Sequence, residues 1–178
     1  LTQEPAWLGI VAAAQFTPVM ILGLFGGVLA DALPKHRALM GTQVSLMVLA
    51  LLQAALVATG LMTLPLLILM AVLLGVVNAI DMPVRQSFFS EMVPEDEVGR
   101  AVAMNSAMFN GARVIGPAIG GVLIGVIGVA GCFAVNGASF LAVLLALLFM
   151  RAEELRPAPR TPRPRTVADV LISLAEGV

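Results

Sequence analysis

Residues 101–150 read AVAMNSAMFNGARVIGPAIGGVLIGVIGVAGCFAVNGASFLAVLLALLFM, and the only charge in them is Arg113. One membrane crossing takes about 20 apolar residues at a rise of about 1.5 Å each, so this stretch is long enough to cross twice and must turn near its middle. The glycines between Gly125 and Gly131 mark that turn. Two further runs lack charge, residues 8–30 and 38–80. The first is one crossing, and the second folds back at Thr59-Gly60 and Pro65. The lengths predict five membrane-spanning helices over residues 7–30, 38–60, 64–82, 100–126 and 129–150, with a Pro/Arg-rich linker and a short amphipathic helix in 151–178.

Composition supports the same reading. The chain is 60% hydrophobic and 12% charged, with a mean hydropathy of +1.01, values that leave too little polar surface to cover a water-soluble domain. Runs such as LMVLALLQAALVA do not alternate in polarity, which makes a membrane β-barrel the weaker alternative. The expected class is an all-α integral membrane protein in contact with lipid, multi-pass in the plasma (inner) membrane.

Nine of the ten basic residues fall in alternate turns: Lys35 and Arg37, then Arg85 and Arg100, then Arg151, Arg156, Arg160, Arg163 and Arg165. By the positive-inside rule these segments, including residues 151–178, are cytoplasmic and Leu1 is outside. An outside start without Met predicts a piece of a longer chain that has at least one preceding helix. Cys132 is the only cysteine, so no intrachain disulfide forms. No nucleic-acid partner, metal or other cofactor is expected. His36 lies at the interface, and neither HExxH, a nucleophile elbow nor a P-loop is present, which argues against an intramembrane hydrolase or an ATP-driven pump.

Polar groups inside a bilayer are costly and so mark function or packing. Asp81 and Arg85 are spaced for a helical pair, but Pro83 lies between them and leaves direct pairing open. Glu91, Glu95, Asp96 and Glu97 read as a solvated loop and the acidic first turn of the next helix. Gln15, Thr17, Gln43, Gln53, Asn78, Asn136 and Ser139 read as interhelical hydrogen-bonding groups. On the fourth span, Ser106, Asn110, Arg113, Pro117 and Gly120 share one face. Arg113 lies thirteen residues beyond Arg100, roughly 20 Å along the helix and past the midplane. It is either a structural counter-ion to an acid on another helix or a cavity-facing group for substrate or coupling, with Asn110 and Ser106 beside it. Pro117 bends that helix, and Gly116, Gly120 and Gly121 admit a close neighbour.

Two motifs now resemble a family. Gly27-x3-Asp31 followed by Lys35 and Arg37 resembles the loop signature between the second and third helices of the major facilitator superfamily, and Gly116-Pro117-x-x-Gly120-Gly121 resembles the fifth-helix signature of its antiporters. Asp81-x-Pro83-x-Arg85 and the late LAEGV are similar to the enterobactin-exporter and macrolide-efflux branch, the transmembrane secretion effectors. Ala32 and Pro34 depart from the loop signature, and Ala103 and Ala112 from the antiporter signature.

The resemblance implies helices two to six of the amino-terminal half, completed by absent helices of the same full-length chain. It also implies a non-enzymatic, proton-coupled exporter of small amphipathic molecules, siderophore-like or drug-like, that works by alternating access. Asp31 with Arg85 would form the gating charges. The competing readings are a non-transporting anchor or assembly protein and a facilitator that imports small solutes.

The basic asymmetry makes a direct prediction. Of Lys35→Cys, Thr63→Cys and Ala158→Cys in the full-length protein, only Thr63→Cys should react with an impermeant thiol reagent in intact cells; labelling of either of the others reverses the orientation.

Overall fold

The computed structural model describes residues 6–32 and 34–150. Four long helices account for most of them: α1 (Ala6–Ala32), α2 (Lys35–Ala58), α3 (Leu64–Glu91) and α4 (Val98–Phe149), with a single 3-10 turn at Glu95–Glu97. All four are long and apolar enough to cross a membrane. The all-helical membrane class read from the sequence therefore holds, and no strand occurs among the described residues.

Residues 100–126 and 129–150, expected as two spans with a turn between them, form two helical segments that meet at Gly128 with no loop. Gly128 has φ 71° and ψ 175°, a left-handed, extended break that a side chain would disfavour. The expected turn has shrunk to one residue. The helix α3 also runs on to Glu91 instead of ending near residue 82, because Pro83 removes only one backbone donor and the helix continues through it. The acids Glu95, Asp96 and Glu97 form the 3-10 turn and do not lie in the first turn of α4. The expected linker and amphipathic helix over 151–178 lie outside the described residues.

The other boundaries follow from local chemistry. Pro34, with φ −65° and ψ 102°, stops α1 and starts α2, and its carbonyl accepts the first helical bond from the N–H of Ala38 at 2.9 Å. At the far end Gly60 turns with φ 71°, and the N–H of Met62 returns to the Leu56 carbonyl at 3.1 Å. The Thr63 carbonyl then accepts from the N–H of Leu67, opening α3 with Pro65 in the first turn, where a missing donor costs least.

The helix α1 packs on α3, while α2 packs on both α3 and α4. Two glycines set the closest approaches. A Cβ at Gly75 would overlap the Gln15 carbonyl of α1 and lie 3.2 Å from Cγ of Pro18. At Gly137 an added Cβ would lie 2.7 Å from Cδ2 of Leu51 on α2. This is the small-residue packing through which membrane helices gain dispersion contact, since lipid is as apolar as they are.

Leu39, Val84, Phe88 and Leu147 form a buried cluster where α2, α3 and α4 converge, with Ala38, Met40, Ile80 and Met150 around it. The His36 ring lies 6.2 Å from that of Phe88, and its Nε2 is 2.8 Å from the Leu147 carbonyl. A carbonyl can only accept, so Nε2 carries the hydrogen and caps the last turn of α4. All the buried residues of α4, Gly137, Leu144 and Leu147, lie beyond Gly128. Residues 98–127 expose Met104, Met108, Phe109, Val114 and Val122 instead.

The two glycine contacts differ in what must yield. Gly75→Ala pushes against backbone and should cost about 1–3 kcal/mol. Gly137→Ala meets Cδ2 and Cγ of Leu51, a side chain and not backbone, and should cost less. Thermal unfolding of the full-length protein in detergent checks the order, and a reversed order removes Gly75 as the tighter contact.

Candidate functional site

The buried face of α2 is Leu39, Thr42, Gln43, Leu46, Ala50 and Ala54, spaced by three and four residues as one helical stripe requires. Two of these six are polar, and both face α3. Their partner is Asp81, only 4% exposed. Its Oδ1 accepts from Oγ1 of Thr42 at 2.6 Å and from Nε2 of Gln43 at 2.8 Å. Its Oδ2 accepts from Nε and Nη2 of Arg85 at 3.1 and 2.8 Å. Thr42 Oγ1 is also 3.0 Å from the Leu39 carbonyl. A hydroxyl has one hydrogen, and the shorter approach to the carboxylate takes the larger share of it.

Four donors on two oxygens is the pattern of an ionised carboxylate at its full acceptor capacity. No buried side-chain polar atom lacks a partner among the described residues. The pairing that Pro83 left open is therefore made: proline deletes one backbone bond, whereas side chains at i and i+4 still share a face. The Arg85 side chain is half exposed and that of Asp81 is 5% exposed. The pair thus joins an interior anion to a cation reaching the surface at the Lys35 end of the bundle.

The other sequence-derived candidates fall as follows. Gly27 and Asp31 lie in the last two turns of α1; the side chain of Asp31, and with it the expected pairing to Arg85, is outside the described residues. Lys35 opens α2 and Arg37 is exposed beside it. On α4, Ser106, Asn110 and Arg113 are exposed along one face. The Asn110 amide donates to the Ser106 carbonyl at 2.9 Å, and Arg113 Cζ lies over the Phe109 ring at 5.4 Å. No described hydrogen bond or ion pair joins this group to Asp81 or Arg85.

Gly116, Gly120 and Gly121 have nothing within 4 Å of an added Cβ, so the close neighbour expected there is not a described residue. The tight contacts fall instead at Gly75 and Gly137, which sequence reasoning passed over. Gly75 is the lone glycine of the apolar helix α3, and that is the available signal for it; Gly137 is one of many in α4 and nothing in the sequence singles it out. Thr42 was missed too. It sits three residues from Leu39 and four from Leu46, on the apolar stripe, where a hydroxyl needs a partner.

With this geometry in hand, comparison with known proteins is informative. The model of the family described as transmembrane secretion effector matches residues 1–170. The chain is 32% identical over 143 residues to the staphyloferrin A transporter of Staphylococcus aureus, covering 79% of this chain and 36% of that protein. It is 26% identical over 181 residues to the uncharacterized MFS-type transporter YfiS of Bacillus subtilis, covering 100% of this chain and 41% of that protein. The chain thus spans about two fifths of the length of the curated relatives it matches. No solved structure matches. The helical order, the two motifs and the family match agree, and the chain belongs to the transmembrane secretion effector family of the major facilitator superfamily.

Proposed function

We propose that this chain is part of a secondary transporter that exports small amphipathic molecules, driven by the proton gradient. The transporter relatives support the class, and a relative named for staphyloferrin A fits a small-molecule cargo. The observation that carries the reading is the Asp81 network. Alternating access requires an element with two arrangements whose balance the cargo and coupling ion shift. A buried carboxylate held by two neutral donors of α2 and by Arg85 provides one arrangement. Its release, with Arg85 turning toward another acid such as Asp31, provides the other.

In this reading Lys35, Arg85 and residues 151–178 face the cytoplasm of a cell bounded by the plasma (inner) membrane. The glycines and Pro117 of α4 receive a helix of the full-length chain. Arg113, with Ser106 and Asn110, faces the cavity as the candidate group for substrate or coupling. The protein acts without a catalytic step.

Energised everted vesicles carrying the full-length protein test this. With fluorescein and ethidium as alternative probes, gradient-dependent accumulation of at least one dye should vanish when the proton gradient is collapsed. Asp31→Asn and Asp81→Asn should each slow it about tenfold or more, the equivalent of roughly 1.4 kcal/mol in the barrier, with membrane insertion unchanged. Wild-type rates in Asp81→Asn would remove the network from the gate. Movement that ignores the gradient would favour a facilitator, and no movement of either dye would favour an anchor or assembly role.

A further inference from the structure

Charge inside the described helices can be matched residue by residue. Among the described side chains, Asp81 is the one acid within α1 to α4, and its four acceptor sites are filled by Thr42, Gln43 and Arg85. It has nothing left to offer a second cation. Between Val98 and Phe149 the sequence contains no Asp or Glu at all, and Arg113 is deep within that run. Its one described partner is the Phe109 ring.

A cation over an aromatic face gains a modest attraction, which is smaller than the cost of an uncompensated charge within a hydrocarbon region. The ring alone does not balance the charge. Contact with a π face also uses none of the five N–H donors of the guanidinium, and no described acceptor takes them. One N–H of the Asn110 amide is bound back to the Ser106 carbonyl.

We infer that Arg113 and Phe109 form a subsite for a carboxylate-bearing amphipathic molecule: the planar guanidinium takes the carboxylate in a bidentate fork, and exposed Phe109 and Met108 take its apolar body. The inference rests on the transporter reading and names the cargo class for it. The carboxylate neutralises Arg113, and the aromatic ring holds the guanidinium in place between cargoes. A cationic amphipath has no counterpart here.

Fluorescence anisotropy on the purified full-length protein in nanodiscs tests the subsite with two dyes of one ring system and opposite charge, fluorescein and rhodamine 6G. Fluorescein should bind saturably and at least tenfold more tightly than rhodamine 6G. Arg113→Gln should weaken fluorescein tenfold or more, Arg113→Lys should fall between, since it keeps the charge but loses the fork, and Phe109→Leu should weaken it severalfold. The ligand-free melting temperature should stay at the wild-type value in Arg113→Gln.

A lowered melting temperature with fluorescein affinity unchanged would assign Arg113 to an ion pair with an acid elsewhere in the full-length chain. That outcome, a preference for rhodamine 6G, or no saturable fluorescein binding by wild type overturns the subsite. If Arg113→Gln does not fold, the Arg113→Lys and Phe109→Leu affinities decide alone, wild-type values in both counting against it. A protein that binds fluorescein through Arg113 yet shows no gradient-driven movement of it would keep the subsite and lose the transporter reading.

Discussion

A carboxylate withdrawn from water needs donors on every side, and the contact between α2 and α3 is built around meeting that need at Asp81. Two come from α2 and two from Arg85, one turn along α3 itself. Because Thr42 and Gln43 are adjacent on one face of α2, the carboxylate fixes both the rotation and the axial register of the two helices. Sliding α2 by one residue would bring Gly41 or Val44 toward Asp81 and cost the buried carboxylate one of its α2 donors, roughly a 1–3 kcal/mol loss. Apolar packing alone does not set register so sharply in lipid, where any apolar face is as well solvated as another.

The apolar cluster of Leu39, Val84, Phe88 and Leu147 lies beside that lock. Leu39 is three residues before Thr42, and Val84 is three residues after Asp81, so polar and apolar contacts occupy the same two helical faces. His36 then ties α2 to the last turn of α4 through the Leu147 carbonyl. The outcome is a convergent end at which three helices are held by side-chain chemistry. At the α1–α3 crossing, the contact at Gly75 depends on the lack of a side chain.

How much of this was legible in the sequence depended on whether the signal was local. The helices, their ends at Pro34 and Gly60, and the family motifs are local in sequence and were readable from it. Composition marks Gly125 to Gly131 as the breakable stretch between the fourth and fifth spans, and within it Gly128 alone takes the positive φ, a choice the sequence does not single out. The Asp81–Arg85 spacing was visible, and Pro83 obscured it only because proline weighs more heavily on the backbone than on side-chain geometry. Thr42 and Gly75 stand out in the sequence, but their partners do not. Their roles are set by what faces them across a helix crossing, and a single sequence carries no record of which faces meet.

The same distinction separates the two arginines. Arg85 is answered within its own helix, four residues from its acid, so its charge is met by local sequence. Arg113 is answered by nothing local: its helix carries no acid over 52 residues, and its ring partner offers a face without a charge. A guanidinium of the first kind is held by its own helix. One of the second kind leaves a demand for an anion that no described side chain meets.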